Sequence, residues 1–129
     1  MIDSDKDFAL CNMVDELLLL TLDMCDRDSK RPRVPKRLHR SLADRIVLTA
    51  CAIQEETIFA NETELAPVTR AERLAHQKEA MRRCVVLKHQ ARILAERGYI
   101  SDKQRERWQK LTVSVYWKLH AWAKADAKR

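Results

Sequence analysis

The chain has 129 residues, 46% apolar and 34% charged, with 25 Lys+Arg against 19 Asp+Glu and a formal net charge of +6. That is the length of one domain and far too apolar for a disordered chain. A single Gly beside three Pro excludes a turn-rich all-β protein, whose tight turns each call for a residue at positive φ, and leaves an all-α domain rich in Ala, Leu, Glu, Lys and Arg.

The opening residues, MIDSDK, place acidic side chains ahead of the first apolar run, the reverse of a secretory leader. The densest apolar stretch, residues 17–22, is interrupted by Thr21 and flanked by Asp15, Glu16 and Asp23, well short of the roughly 20 residues a bilayer span needs. A cytoplasmic protein without a membrane segment is expected. Cys11, Cys25, Cys51 and Cys84 are widely spaced, form no C-x-x-C pair and fall within predicted helices, which predicts free, mostly buried thiols.

Ser4 followed by Asp7 opens a first helix over 5–25, and its acidic first turn suits the positive end of the helix dipole. At about 100° per residue Leu10, Met13, Leu17, Leu20 and Met24 share one stripe, which Phe8, Cys11, Leu18, Leu22 and Cys25 widen to about 200°. Residues 26–35, DRDSKRPRVP, read as a connector with Pro35 as the first residue of the next helix. That second helix, over 36–60, places Leu38, Leu42, Ile46, Thr49, Ile53 and Ala60 inward and Val47, Cys51 and Ile58 on nearly the opposite side. After a loop containing Pro67, Thr69 with Glu72 predicts a capping box opening a third helix over 70–97, with Ala80, Cys84, Leu87, Ala91 and Leu94 as its inner stripe. Gly98, Tyr99 and Ile100 read as a left-handed C-terminal cap with its hydrophobic contact. Ser101 with Gln104 predicts a second capping box and a fourth helix over 102–125, carrying Trp108, Leu111, Val115, Leu119 and Trp122 inward and Val113, Trp117 and Ala121 on the far side.

Four such helices joined by short loops pack most economically as an antiparallel up-down-up-down four-helix bundle, one domain over 1–129. Helices one, two and four carry apolar residues outside their core stripes. Such a surface predicts homo-oligomerisation, with Val47, Cys51, Val113 and Trp117 as candidate interface residues.

Charge is unevenly distributed. Residues 1–28 carry two basic and eight acidic side chains and residues 46–69 four acidic and no basic ones. Residues 30–45 carry seven basic and one acidic, and 70–98 and 99–129 each eight basic and three acidic. Lys30, Arg31, Arg33, Lys36, Arg37 and Arg40 crowd the connector and the start of helix two, where helix amides add positive potential. On helix three, Lys78, Arg82, Lys88, His89 and Arg92 fall within about 120° of one another. The cations of these two groups are the candidate nucleic-acid-binding residues. Phosphate contact gives affinity without reading sequence, so binding is expected to be weakly specific and salt-sensitive. The plainer alternative is a solvated helix face, with Glu79 and Arg83 as an i,i+4 pair and Glu96 among the cations. Trp108 and Trp122 belong to the core stripe, whereas Trp117 is a subunit contact or a stacking platform for bases, the first being preferred.

Chemistry finds little support. His39, His76, His89 and His120 are scattered, with no H-E-x-x-H, no Cys/His ligand spacing and no carboxylate–His pair at helical separation that points to a metal. Gly98 alone makes neither a phosphate-binding loop nor a G-x-S-x-G elbow. Glu55 and Glu56 point about 100° apart and cannot face each other as an acid/base couple. Glu56, Arg45 and Thr49 lie near one side of helix two and predict a structural polar network. No catalytic residue, metal or cofactor is expected.

Two stretches, 35–61 (PKRLHRSLADRIVLTACAIQEETIFAN) and above all 91–122 (ARILAERGYISDKQRERWQKLTVSVYWKLHAW), combine particular helix lengths with an L-x-x-x-G-Y-I turn and a late Trp. Over about residues 14–124 the chain resembles the four-helix-bundle proteins that include ribosomal RNA intervening-sequence proteins and the accessory variability proteins of diversity-generating retroelements. The resemblance implies a basic homopentameric barrel that binds RNA or DNA and partners the retroelement's reverse transcriptase, without catalysis of its own, in mutagenic cDNA synthesis. Residues 52–61 read AIQEETIFAN where the intervening-sequence branch ends helix two with S-I-x-x-N-I-A-E-G, which favours the retroelement branch. The expected function is a noncatalytic nucleic-acid-binding accessory protein. The competing expectation is a structural oligomeric adaptor for a protein partner, with no physiological nucleic acid.

Overall fold

Ala80, Cys84, Leu87, Ala91 and Leu94 are all buried along one side of a helix, and Trp108, Val115, Leu119 and Trp122 along one side of the next, so the 3.6-residue period of the sequence becomes the core. The computed structural model describes residues 5–25 and 33–129, with the side chains of the first helix described from Ala9 onward. Helices α1 (Asp5–Cys25), α2 (Asp44–Glu62), α3 (Arg70–Glu96) and α4 (Asp102–Ala127) form an all-α four-helix bundle, with no strand among the described residues. Leu10, Val14, Leu17, Leu20 and Met24 of α1 meet Ile46, Ala50, Ile53 and Ala60 of α2 in the same core. Each large apolar side chain fully removed from water there contributes about 1.5–3 kcal/mol.

Polar ties give the direction of packing. Gln54 of α2 donates to Asp15 of α1 at 2.8 Å, and Glu56 of α2 pairs with His76 of α3. Asp126, near the end of α4, meets Arg73, near the start of α3, while Gln109 near the start of α4 donates to the Lys88 carbonyl at 3.0 Å. Consecutive helices are therefore antiparallel. The seam between α1 and α4 is tied by the indole of Trp108, which donates to Thr21 Oγ1 at 3.1 Å, while the Thr21 hydroxyl donates to the Leu17 carbonyl at 2.7 Å.

The turn between α3 and α4 forms as predicted. Gly98 sits at φ +75°, Tyr99 N–H bonds the Leu94 carbonyl and Gly98 N–H the Ala95 carbonyl, both at 2.9 Å, and Ile100 is buried in the core. At the next residue Ser101 Oγ accepts from Gln104 N–H at 3.1 Å and Gln104 Oε1 accepts from Ser101 N–H at 2.8 Å, a complete capping box.

Three local expectations are corrected. The second helix is not α-helical from residue 36: a 3₁₀ turn over Lys36–Leu38 and a π-helical stretch over His39–Ala43 precede α2. Neither has a capping side chain or an acidic first turn, and across this tight and then wide winding Val34 and Ala43 sit in the core with Leu38 and Leu42 packed against it. The capping box at Thr69 and Glu72 does not form. Helical winding already begins at Ala66, whose carbonyl accepts from Thr69 and Arg70 N–H, so Thr69 is at helical φ, ψ and its hydroxyl turns back to the Glu64 carbonyl. Arg45, Thr49 and Glu56 form no common network: the Thr49 hydroxyl bonds only the Arg45 backbone, Arg45 is exposed, and Glu56 reaches α3. Ser4 and connector residues 26–32 lie outside the described residues, as does the side chain of Phe8. Among the described residues no helix is long and apolar enough to cross a membrane.

Candidate nucleic-acid interface

The antiparallel order sorts charge by side. Helices α3 and α4 are neighbours and between them carry 13 of the 25 Lys and Arg, alongside the exposed carboxylates Glu72, Glu96, Asp102 and Glu106, whereas the exposed charges of α1 and α2 are mostly the carboxylates Asp15, Glu16, Asp23, Glu55 and Glu62. On α3, Lys78, Arg82, Lys88 and Arg92 are all exposed on the outward face, as the helical projection requires. Two of them share their charge with carboxylates of the same helix: Arg82 lies 4.0 Å from Glu79, and Arg92 3.1 Å from Glu96. The expected Glu79–Arg83 pair forms at 3.3 Å. Such exposed pairs contribute little to stability and leave the guanidinium free to exchange partners.

The second predicted cluster is divided. Lys30 and Arg31 lie outside the described residues. Arg33 is exposed and donates to the Asp23 carbonyl at the end of α1 at 2.6 Å. Lys36, Arg37 and Arg40 project from the 3₁₀ and π turns, at the end of the bundle where α3 finishes. The four candidate interface residues fall on two seams. Val113 and Trp117 border the α3–α4 groove, while Val47 and Cys51 are half-buried on the side of α2 that Gln54 turns toward α1.

A third basic surface was missed from the sequence alone. Lys103, Arg107, Lys110, Lys118 and Lys124 project from the outward face of α4, within about 120° of one another, and all are exposed. The signal was present in the spacing, because these cations recur every three to eight residues opposite Trp108, Val115 and Trp122. Arg107 and Lys110 line a hollow of about 520 Å³ with Glu16 and Asp23 of α1, whereas Lys124 belongs to a groove of successive hollows between α4 and α3. One of about 230 Å³ is lined by Lys88, His89, Val113 and Trp117, the next of about 320 Å³ by Lys78, Arg82, Val85 and Tyr116, and a third of about 210 Å³ by Lys78, His120 and Lys124. Trp117, 57% exposed, meets Tyr116 and His120 edge-on, with ring centroids at 5.1 and 5.3 Å.

Two polar clusters elsewhere join helices to one another. Asp126 Oδ2, buried, accepts from Arg73 Nε at 2.8 Å and from Gln77 Nε2 at 2.7 Å, while Arg73 lies 4.9 Å from the centroid of Trp122 and donates to the Thr63 carbonyl at 3.0 Å. His76 stands between Glu56 and Glu72, the latter at 3.9 Å across one helical turn, so a carboxylate–His pair at helical separation is present where none that points to a metal was expected from the sequence. No group of three or more His, Cys, Asp or Glu among the described residues is placed to hold a metal ion. Burial pushes the Cys84 thiol up to about 12, and burial with the Glu55 charge raises that of Cys51.

Compared with protein-family models, curated proteins and solved structures, the chain matches none.

Proposed function

We propose that this protein is a noncatalytic nucleic-acid-binding accessory module whose α3–α4 side lies along the phosphate backbone of RNA or DNA. The observation that carries the reading is the row of cations Lys78, Arg82, Lys88 and Arg92 exposed on α3, with Lys124 of α4 lining the same groove; Lys103 and Lys118 add charge on the outward face of α4, while Arg107 and Lys110 stand beside Glu16 and Asp23 of α1. Neutralising a phosphate releases a condensed counterion, so rows of this kind bind polyanions in a salt-dependent, sequence-tolerant way. Lys36, Arg37 and Arg40 extend the surface at one end of the bundle. Self-association into a pentameric barrel and partnership with a reverse transcriptase complete the reading, and rest on the resemblance of residues 35–61 and 91–122 to the retroelement accessory proteins.

Fluorescence anisotropy of labelled structured RNA and duplex DNA at several salt concentrations tests it. The wild type should show a steep logarithmic salt slope, and Lys78→Glu with Arg82→Glu and Lys88→Glu should lower that slope by about one for each phosphate no longer neutralised. Weak, salt-independent binding, unchanged by the triple reversal, would overturn the reading in favour of a protein-binding adaptor. Exposed Leu19 and Leu48, 63% and 65% accessible on the acidic helices, would then be the first surface to examine.

A further inference from the structure

The groove between α3 and α4 differs from an ordinary solvated basic face because an indole stands in it. Trp108 and Trp122 are core residues, whereas Trp117 keeps 57% of its surface in water. Its two ring neighbours do not stack on it: Tyr116 lies at 90° to the indole plane and His120 at 73°. Neither ring occupies a parallel position over the indole, the position a flat partner would take. Cations stand along the groove to either side of that ring, Lys88 in the same hollow and Lys78, Arg82 and Lys124 in the hollows that continue along the seam. Among the described residues Lys78 and Lys88 pair with no carboxylate. At 1.5 Å of rise per residue Lys78, Arg82 and Lys88 follow one another at about 6 and about 9 Å along α3, steps on the scale of one or two phosphates of an extended strand.

An aromatic side chain flanked by cations in a groove is the arrangement by which proteins hold unpaired bases, because every base offers a π face and every linkage a negative charge. A double helix keeps its bases stacked on one another and offers this indole only phosphates. We infer that the α3–α4 groove is a single-strand subsite, in which Trp117 stacks on an unpaired nucleobase while Lys88, Arg82 and Lys78 hold the flanking phosphates. The inference rests on the proposed nucleic-acid reading and specifies its substrate: unpaired segments, such as loops or strand ends, in preference to duplex.

The test compares an oligothymidylate with an abasic deoxyribose-phosphate strand of equal length and charge. Both are titrated by anisotropy at fixed salt against wild type, Trp117→Leu and Trp117→Phe, after circular dichroism has shown the variants folded. The expected result is that wild type binds oligothymidylate about ten-fold more tightly than the abasic strand, the scale of one base–aromatic stack. Trp117→Leu should lose that preference with abasic binding unchanged, Trp117→Phe should keep part of it, and only wild type should show quenching of an exposed indole by oligothymidylate. Equal affinity of wild type for the two strands would overturn the inference while leaving phosphate binding intact. A preference that persists in Trp117→Leu would also overturn it, and if Trp117→Leu then sediments as a smaller species the indole is a contact between copies. Failure of both strands to bind in a salt-dependent way would instead remove the nucleic-acid reading itself.

Discussion

Replacing Asp126 by Ala tests how the far end of the bundle is held. The carboxylate is 1% exposed and accepts two hydrogen bonds, from Arg73 Nε at 2.8 Å and Gln77 Nε2 at 2.7 Å. Its removal strands a guanidinium that is itself only 11% exposed. Breaking one half of a buried ion pair costs about 3–5 kcal/mol. Arg73 keeps its bond to the Thr63 carbonyl and its place over Trp122, which puts the expected loss near the low end, about 3 kcal/mol, a large share of the roughly 5–15 kcal/mol that stabilises a domain. Urea unfolding followed by circular dichroism measures it. A cycle with Arg73→Met separates the pair from its parts, because the double variant leaves no unpaired charge and should be less destabilised than the two single losses together. Gln77→Met makes the contrast. It loses one hydrogen bond but also removes Oε1, a buried acceptor with no partner among the described residues, so its cost should stay within about 1 kcal/mol. A loss below about 1 kcal/mol for Asp126→Ala, or strictly additive single losses, would refute the account of a buried network joining α3 to α4.

Other predictions concern single contacts. Thr21→Val preserves shape but leaves the buried Trp108 indole N–H without its acceptor, and should cost about 1–3 kcal/mol by urea unfolding, whereas a neutral result would mean that the indole has no need of Thr21. At Gly98 a methyl group would meet nothing within 4 Å, so Gly98→Ala should cost only the left-handed conformation, about 1–2 kcal/mol, and a larger thermal destabilisation would point to a clash that the structure does not contain. Because the folded protein holds the Cys84 proton up to about 12 against an ordinary 9.0, the thiol's contribution is complete below about pH 9 and declines as pH rises toward 12, by roughly 4 kcal/mol at most. Unfolding of wild type and Cys84→Ala from about pH 8 to about pH 10 should therefore show the steeper decline in wild type, and parallel slopes would contradict it.

The core was legible because it depends on a period. The stripes of α3 and α4 need only the apolar spacing, and the Gly98 and Ser101 stops need only the residue types that satisfy helix ends. The start of the second helix was not legible, since Pro35 and Leu38 fit any helical winding and the choice of 3₁₀ and π turns is made by the burial of Val34 and Ala43. Thr69 misled for a related reason: a capping pattern works only at an extended residue, and the chain is already winding from Ala66. At the candidate site, periodicity found the exposed cations of α3 but cannot say which helices become neighbours. The pairing of α3 with α4, which brings Trp117 of α4 into one groove with the cations of α3, exists only after folding. The partners of Arg73, Gln77 and Asp126 are likewise separated by about fifty residues of chain, and no local pattern announces them.

The excess of carboxylates over cations on α1 and α2, and of cations over carboxylates on α3, α4 and the turn before α2, gives the molecule an electric dipole moment across the bundle, beyond its modest net charge of +6. In the field of a polyanion such a body experiences a torque as well as an attraction, and it rotates its α3–α4 side forward before contact. The fraction of encounters that arrive in register should therefore rise as salt is lowered and the screening length grows. The same moment acts between two copies of the chain, pulling the acidic side of one toward the basic side of the next, an attraction that also strengthens as salt is lowered.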